Sequence, residues 1–216
     1  MNASPFSSRV RMAIYAKSLP IQIFDPPKGG TASPEYLAIN PMGKVPTLVL
    51  DDGSVIPESE TILEYLADAF PIVKLRPYKA EDAARGRLLS RVADVYIMAA
   101  CGPLFQQLDP AHRDAAVVSQ VLATLDKGIG HLDTFMTNDE YAVGSAITSA
   151  DCTLVPVLVI LGVLGPAFGK GDLLAGHGKV AAYWARVQKN PAAARVIGEM
   201  RQAFEVIMKA RAAQPA

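Results

Sequence analysis

At 216 residues the chain is long enough for one large or two small domains. Lysine plus arginine balances aspartate plus glutamate, 21 against 21, so no basic field exists to gather nucleic acid or an anionic membrane. A hydrophobic fraction of 50% with 19% charged residues describes a core-rich globule and excludes a disordered chain.

Cys101 and Cys152 sit far apart in apolar, helix-like contexts, as buried thiols of a reducing compartment do. No Cys-x-x-Cys or Cys/His cluster is present, and His112, His131 and His177 are scattered, so no metal is expected. The amino terminus carries no apolar signal core. The longest apolar stretch, Cys152 to Leu164, contains Pro156 and Gly162 and is too short for a bilayer. It is expected as a buried core helix of a cytoplasmic protein that spans no membrane.

In chain order, Ser4-Pro5 is a helix N-cap with proline at the first helical position. Val10, Ala13 and Ile14, with Phe6, give the helix an apolar stripe, and Ser18 to Pro20 ends it. The Ser4 hydroxyl at this positive helix end has two uses. It caps the helix through its oxygen, or it donates to a bound thiolate that the helix dipole also favours. Ile21 to Phe24 is predicted as a short strand, 25–32 (DPPKGGTA) as a loop, and Ser33-Pro34-Glu35 as the start of a short helix over Tyr36 to Ile39.

Residues 40–66, NPMGKVPTLVLDDGSVIPESETILEYL, organise the rest. Asn40-Pro41 stops the preceding helix. Thr47 to Leu50 and Ser54 to Ile56 flank Asp52-Gly53, a strong hairpin signal. Glu60 to Ala67 then repeats apolar residues at helical spacing. The turn before that helix, Pro57-Glu58-Ser59, sets a carboxylate and a hydroxyl beside the free N–H groups of a helix start. This suits a small zwitterion: N–H groups and Ser59 for a carboxylate, Glu58 for an ammonium. A cis Val45-Pro46 would turn extended backbone outward to meet a peptide-like ligand. The plainer reading is a hairpin followed by an ordinary capped helix.

Phe70-Pro71 closes this helix and 71–82 reads as a linker. Beyond it the patterns are helical: 80–101, with Gly102-Pro103 as a kink or end; 114–136; Cys152 to Leu164; His177 to Lys189, with Trp184 in the core; and a last helix from Pro191. Thr148-Ser149-Ala150-Asp151 fits a capping box, a structural device with no catalytic role for Asp151.

The combination of Ser4 to Arg11 (SPFSSRVR), NPMGKVPTL, DDG, ESETILEYL and the G-x-x-x-T-x-A-D run at Gly144 to Asp151 resembles the cytosolic glutathione transferases along nearly the whole chain, in their serine-type, bacterial-like form. The resemblance implies an α/β thioredoxin-like domain over residues 1–75 and an all-helical domain over 82–212. It implies glutathione as co-substrate, held by Lys44, Val45, Pro46, Glu58 and Ser59, with Lys44 facing the glycine carboxylate unless it is simply solvated. Ser4, ahead of Ser7 and Ser8, would stabilise the glutathione thiolate for attack on a small hydrophobic electrophile. That electrophile would lie between the domains near Phe6, Tyr96 and Met98, in a homodimer. A glutathione-dependent isomerase of the maleylacetoacetate type and a non-catalytic glutathione-binding protein share the same features. A cysteine-type reductase is disfavoured because no cysteine stands in the first helical turn. The family also places a strand before the first helix, and Met1 to Ala3 are too few to make it. The two readings are a start codon further upstream or a sheet built with a gap.

Overall fold

The computed structural model describes residues 2–72 and 74–212. They group into two compact units, one formed by the chain up to Leu75 together with the stretch from Pro191, the other by Arg76–Asn190.

In the first unit, Ser4 holds an extended backbone and its Oγ accepts the Ser7 N–H at 3.3 Å, so helix α1 (Pro5–Lys17) starts where the Ser-Pro signal puts it. Ser18, at φ 49°, closes it by donating to the Ile14 and Tyr15 carbonyls. Burial of α1 is not confined to one stripe. Ser8, Arg9 and Arg11 are as enclosed as Val10, Met12, Ala13 and Ile14, because α1 is packed by two helices, α3 (Ser59–Ala69) and α9 (Pro191–Ala212). The contact with α9 is polar and specific. Tyr15 Oη donates to Glu199 at 3.0 Å, the Arg11 guanidinium lies 3.5 Å from the same carboxylate, and Arg195 stacks 3.8 Å over the Tyr15 ring. Burial and the adjacent Glu199 raise the Tyr15 phenol above its ordinary pKa. The last helix therefore packs into the first unit, although the sequence assigns it to the helical domain with 82–212.

A short helix, α2 (Pro34–Ile39), starts at the Ser33 cap, and the hairpin forms as β1 (Thr47–Val49) against β2 (Val55–Pro57), with Leu48 opposite Ile56. Gly53 sits at φ 84° in the turn, a conformation open to glycine, and Asp52 accepts the Ser54 N–H and hydroxyl. One expectation fails: Ile21 to Phe24 is not a strand. An apolar run becomes a strand only when a neighbour takes up its backbone groups. Here β1 pairs with β2 along one edge only, and the sheet has two strands among the described residues. Phe24 is left 80% exposed.

The second unit is helical: α4 (Ala80–Val92), a π-helical turn at Ala93–Met98, α5 (Ala99–Gln106), α6 (Ala115–Phe135), α7 (Ser149–Ala167) and α8 (Gly178–Val187). The helix does not stop at Gly102-Pro103, since α5 carries Pro103 inside it and runs on to Gln106. Gly128 lets α6 approach the π turn, where a Cβ would come within 2.5 Å of the Tyr96 carbonyl oxygen. Helix α7 is longer than its apolar run, 19 residues, and so is long and apolar enough to cross a membrane by length and composition, which corrects the expectation above. Of its most apolar window, 78% is buried inside the fold. The continuous helix from α4 to α5, Ala80–Gln106, passes the same test with 44% buried.

The start of α7 is the most fully satisfied polar site in this unit. Asp151, wholly buried, accepts the Thr148 N–H (2.8 Å) and hydroxyl (2.9 Å), the Ala142 N–H (2.8 Å) and the Tyr183 hydroxyl (3.0 Å). Burial pushes this carboxyl above the ordinary range while the four donors pull the other way. The core residues of α8 are Val180, Tyr183 and Val187, the Tyr183 hydroxyl donating to Asp151, and Trp184 is only partly covered.

Candidate functional site

Two helix starts in the first unit carry the groups of interest. At α1, Ser4 is partly exposed, and its hydroxyl accepts the Ser7 N–H while its own proton is left to donate outward. Ser8 is fully buried and committed: it donates to the Asn2 carbonyl at 3.3 Å and accepts from Arg11 at 2.7 Å. Ser7 is partly exposed and gives its N–H to Ser4. Among the described residues Ser4 and Ser7 both keep an unspent hydroxyl donor at this positive helix end, and Ser8 does not.

At α3 the local backbone is unusual. Glu58 occupies the N-cap position at φ 68°, ψ 114°, and no side chain caps the helix. A non-glycine residue held at positive φ stores strain of order 1–3 kcal/mol, and such residues cluster at ligand sites. Ser59, the first helical residue, is buried, while Glu58 is exposed. Among the described residues neither the Glu58 carboxylate nor the Ser59 hydroxyl makes a hydrogen bond or ion pair within the protein. The turn thus offers an acid, an alcohol and uncapped N–H groups together.

The loop between α2 and β1 is held from below. The Lys44 carbonyl accepts from the Tyr36 hydroxyl (2.7 Å) and from Asn40 Nδ2 (2.9 Å), and both also reach the Thr47 hydroxyl at 3.0 Å. Lys44 itself is exposed. The Val45-Pro46 bond is cis. Sequence reasoning used Tyr36 and Asn40 only as the start and stop of a short helix and missed their hold on the Lys44 carbonyl. Their signal was only a tyrosine on a short helix and an asparagine four residues on, at its C-cap.

A second pair escaped notice. Arg9, 2% exposed on α1, reaches across to Glu60 on the first turn of α3 at 3.2 Å and lies 5.5 Å from the Phe6 ring. This ion pair ties the two helix starts together, so the spacing between Ser4 and Ser59 is set by packed side chains and not by a flexible loop. The residues named for an electrophile divide by exposure. Phe6 is 38% and Tyr96 52% exposed, the latter with its ring edge against His131, whereas Met98 is buried at 9%. Of the latter two it is Tyr96 that presents surface. Both cysteines are buried and neither is in a disulfide, and burial pushes the Cys101 thiol up to about 12, so Cys101 offers no ready thiolate. Among the described residues no group of three His, Cys, Asp or Glu side chains is placed to hold a metal.

Comparison with known proteins fits this geometry. Residues 1–77 match the family model "Glutathione S-transferase, N-terminal domain" and 92–191 match "Glutathione S-transferase, C-terminal domain". Glutathione S-transferase hmp2 of Hypomyces subiculosus is 30% identical over 161 residues, covering 69% of this chain and 76% of that protein. The chain belongs to the cytosolic glutathione transferase family. Within this family, the maleylacetoacetate isomerase of Pseudomonas aeruginosa is 28% identical over 162 residues, 72% of this chain and 76% of that one. The chain spans 41% and 28% of the length of two plant transferases that it matches more locally. A glutathione S-transferase of Methylobacterium radiotolerans, solved in complex with glutathione sulfonate, superposes with a TM-score of 0.75 at 25% identity, 91% of each chain being covered. The thioredoxin-like plus all-helical fold class read from the motifs is the fold of these relatives.

Proposed function

We propose that this protein binds glutathione at the α3 start and conjugates its thiolate to a small hydrophobic electrophile. The observation that carries the reading is the Glu58–Ser59 turn: a strained acid at positive φ beside a buried alcohol, on a helix that no side chain caps. Ser59 and the α3 N–H groups take the carboxylate of the γ-glutamyl end and Glu58 its ammonium. The Val45 main chain pairs with the peptide portion beside Pro46, and Lys44 meets the glycine carboxylate. Ser4 donates to the sulfur and, with the α1 dipole, lowers the thiol pKa, so that the nucleophile is a thiolate at neutral pH. The thiolate attacks the electrophilic carbon, the new C–S bond replaces the bond to the leaving group, and the sulfur's proton passes to solvent. The protein acts in the cytoplasm as a homodimer, with Phe6 among the apolar groups offered to the electrophile.

A second reading, glutathione-dependent cis–trans isomerisation of a maleylacetoacetate-like substrate, draws support from the Pseudomonas aeruginosa relative. It uses the same thiolate, which adds to the double bond and is then expelled, leaving no net conjugate. Titration calorimetry with reduced glutathione tests the site. Turnover of a chlorinated aromatic against maleylacetoacetate then separates the two reactions. Heat on binding with neither turnover leaves a glutathione-binding protein without catalysis, and no heat with glutathione or its S-alkyl derivatives ends all three readings.

A further inference from the structure

The loop that carries Lys44 and Val45 is fixed to α2 by a closed ring of hydrogen bonds, and each proton in that ring has one place to go. The Lys44 carbonyl only accepts, so the Tyr36 hydroxyl spends its single proton there, at 2.7 Å. The 3.0 Å contact between Tyr36 and Thr47 is then a bond from the Thr47 hydroxyl to the Tyr36 oxygen, favoured over the Lys44 carbonyl, which lies 3.5 Å from Thr47. Asn40 Oδ1 accepts the Met42 N–H at 3.0 Å, which sets the orientation of the amide. Its Nδ2 gives one proton to the Lys44 carbonyl at 2.9 Å and the other to Thr47 at 3.0 Å. Tyr36 and Asn40 are buried, at 6% and 2% exposed, so these bonds form away from competing water.

The ring grips the chain at the Lys44 carbonyl and at the Thr47 side chain, and these two points bracket Val45 and Pro46. Between them Val45 is left open: among the described residues its N–H and C=O make no hydrogen bond. A bracketed residue with unspent main-chain groups pairs with a peptide at low entropic cost, because its backbone is ordered before the ligand arrives. The support itself is anchored, since Ser33 accepts the Tyr36 N–H at 3.2 Å and the Asn40 N–H bonds the Tyr36 carbonyl at 2.8 Å. We propose, resting on the glutathione reading above, that Tyr36 is a positioning residue for the peptide portion of glutathione. Its hydroxyl holds the Val45 main chain in register for the cysteinyl backbone, Thr47 orients that hydroxyl, and Tyr36 acts through the Lys44 carbonyl without touching the ligand. Removing the hydroxyl keeps the ring packed and α2 capped, so the 44–46 backbone loosens while the core stays filled. The glutamyl end of the ligand is unaffected, because Glu58 and Ser59 belong to the start of a different helix.

The test is titration calorimetry on the full chain and on Tyr36→Phe, Thr47→Val and Thr47→Ser, with denaturant unfolding to check that each variant folds. Three probes separate the parts of the ligand. Reduced glutathione carries all of them, ophthalmic acid has a methyl group in place of the thiol, and γ-glutamylethylamide keeps only the glutamyl end. Tyr36→Phe is expected to weaken glutathione and ophthalmic acid alike, about fivefold, the worth of one neutral hydrogen bond, and to leave γ-glutamylethylamide within about twofold. Thr47→Val, which removes the other hydroxyl of the ring, acts in the same direction and keeps the test open should Tyr36→Phe unfold. Thr47→Ser keeps the hydroxyl and is expected to bind as the unaltered protein does. Unchanged glutathione affinity in folded Tyr36→Phe, whatever its unfolding midpoint, overturns the proposal and leaves the glutathione reading standing. So does an equal weakening of γ-glutamylethylamide, which is general loosening of the unit, and so does a loss confined to glutathione, which puts the hydroxyl on the sulfur. No heat from the unaltered protein with glutathione or ophthalmic acid overturns the reading and the proposal together.

Discussion

The starts of α7 and α3 each have a buried residue and an acidic residue close by, and they are finished in opposite ways. At α7, Asp151 receives four donors at 2.8 to 3.0 Å, from Thr148, Ala142 and Tyr183, and nothing is left to offer a ligand. At α3, Glu58 stands outside the helix at positive φ, Ser59 is buried, and no side chain caps the turn. A helix end that the protein satisfies by itself is a structural device, while one it leaves open is a binding device. The same residue types serve both purposes, and only the partners distinguish them.

The largest effect is expected at the closed end. Asp151→Ala strands two backbone N–H groups and two hydroxyls in the core, and at about 1 kcal/mol or more for each buried unsatisfied group the loss is about 4 kcal/mol. Denaturant unfolding measures it, and a loss below 1 kcal/mol would mean that water reaches the site. At α1, Ser4→Ala is expected to lower kcat/KM for conjugation by about a hundredfold, as removal of one donor to a developing anion does. Glutathione affinity should change little, and loss of the cap should lower stability by about 1 kcal/mol. Kinetics beside calorimetry separate the two effects; equal losses in affinity and rate would place the serine on the peptide and not on the sulfur.

At the open end, Ser59→Ala is expected to weaken glutathione binding about tenfold or more, the worth of one hydrogen bond to a charged group, with the unfolding midpoint unmoved. A fall in stability without a fall in affinity would reverse the contrast between the two helix ends. The smallest effect concerns pH. Asp139 accepts the Gly144 N–H at 2.8 Å, which holds its carboxyl below the usual value of 3.8. A depressed folded pKa gives stability that is complete above the unfolded value and is lost as pH falls through the folded one. Asp139→Asn is therefore expected to flatten the acid limb of the stability curve below about pH 4 and to leave neutral pH nearly unchanged. Unfolding midpoints measured from pH 2 to 7 check it.

Local chemistry carried much of this fold into the sequence. Ser4-Pro5, Ser33-Pro34, Asp52-Gly53 and Thr148 to Asp151 each force a cap or turn through covalent geometry and short-range hydrogen bonds. Those four signals located α1, α2, the hairpin and α7, and the helical spacing over Glu60 to Ala67 put Glu58 and Ser59 at a helix start. What the sequence by itself determined is which residues begin and end elements, because that depends on neighbours within four positions along the chain. Tertiary structure alone decided the rest. Ile21 to Phe24 has the composition of a strand but no partner backbone. The last helix joins the first unit through Glu199, and Arg9 and Glu60 meet across 51 positions of chain. Pairing and burial depend on which surfaces meet, and no local pattern encodes that.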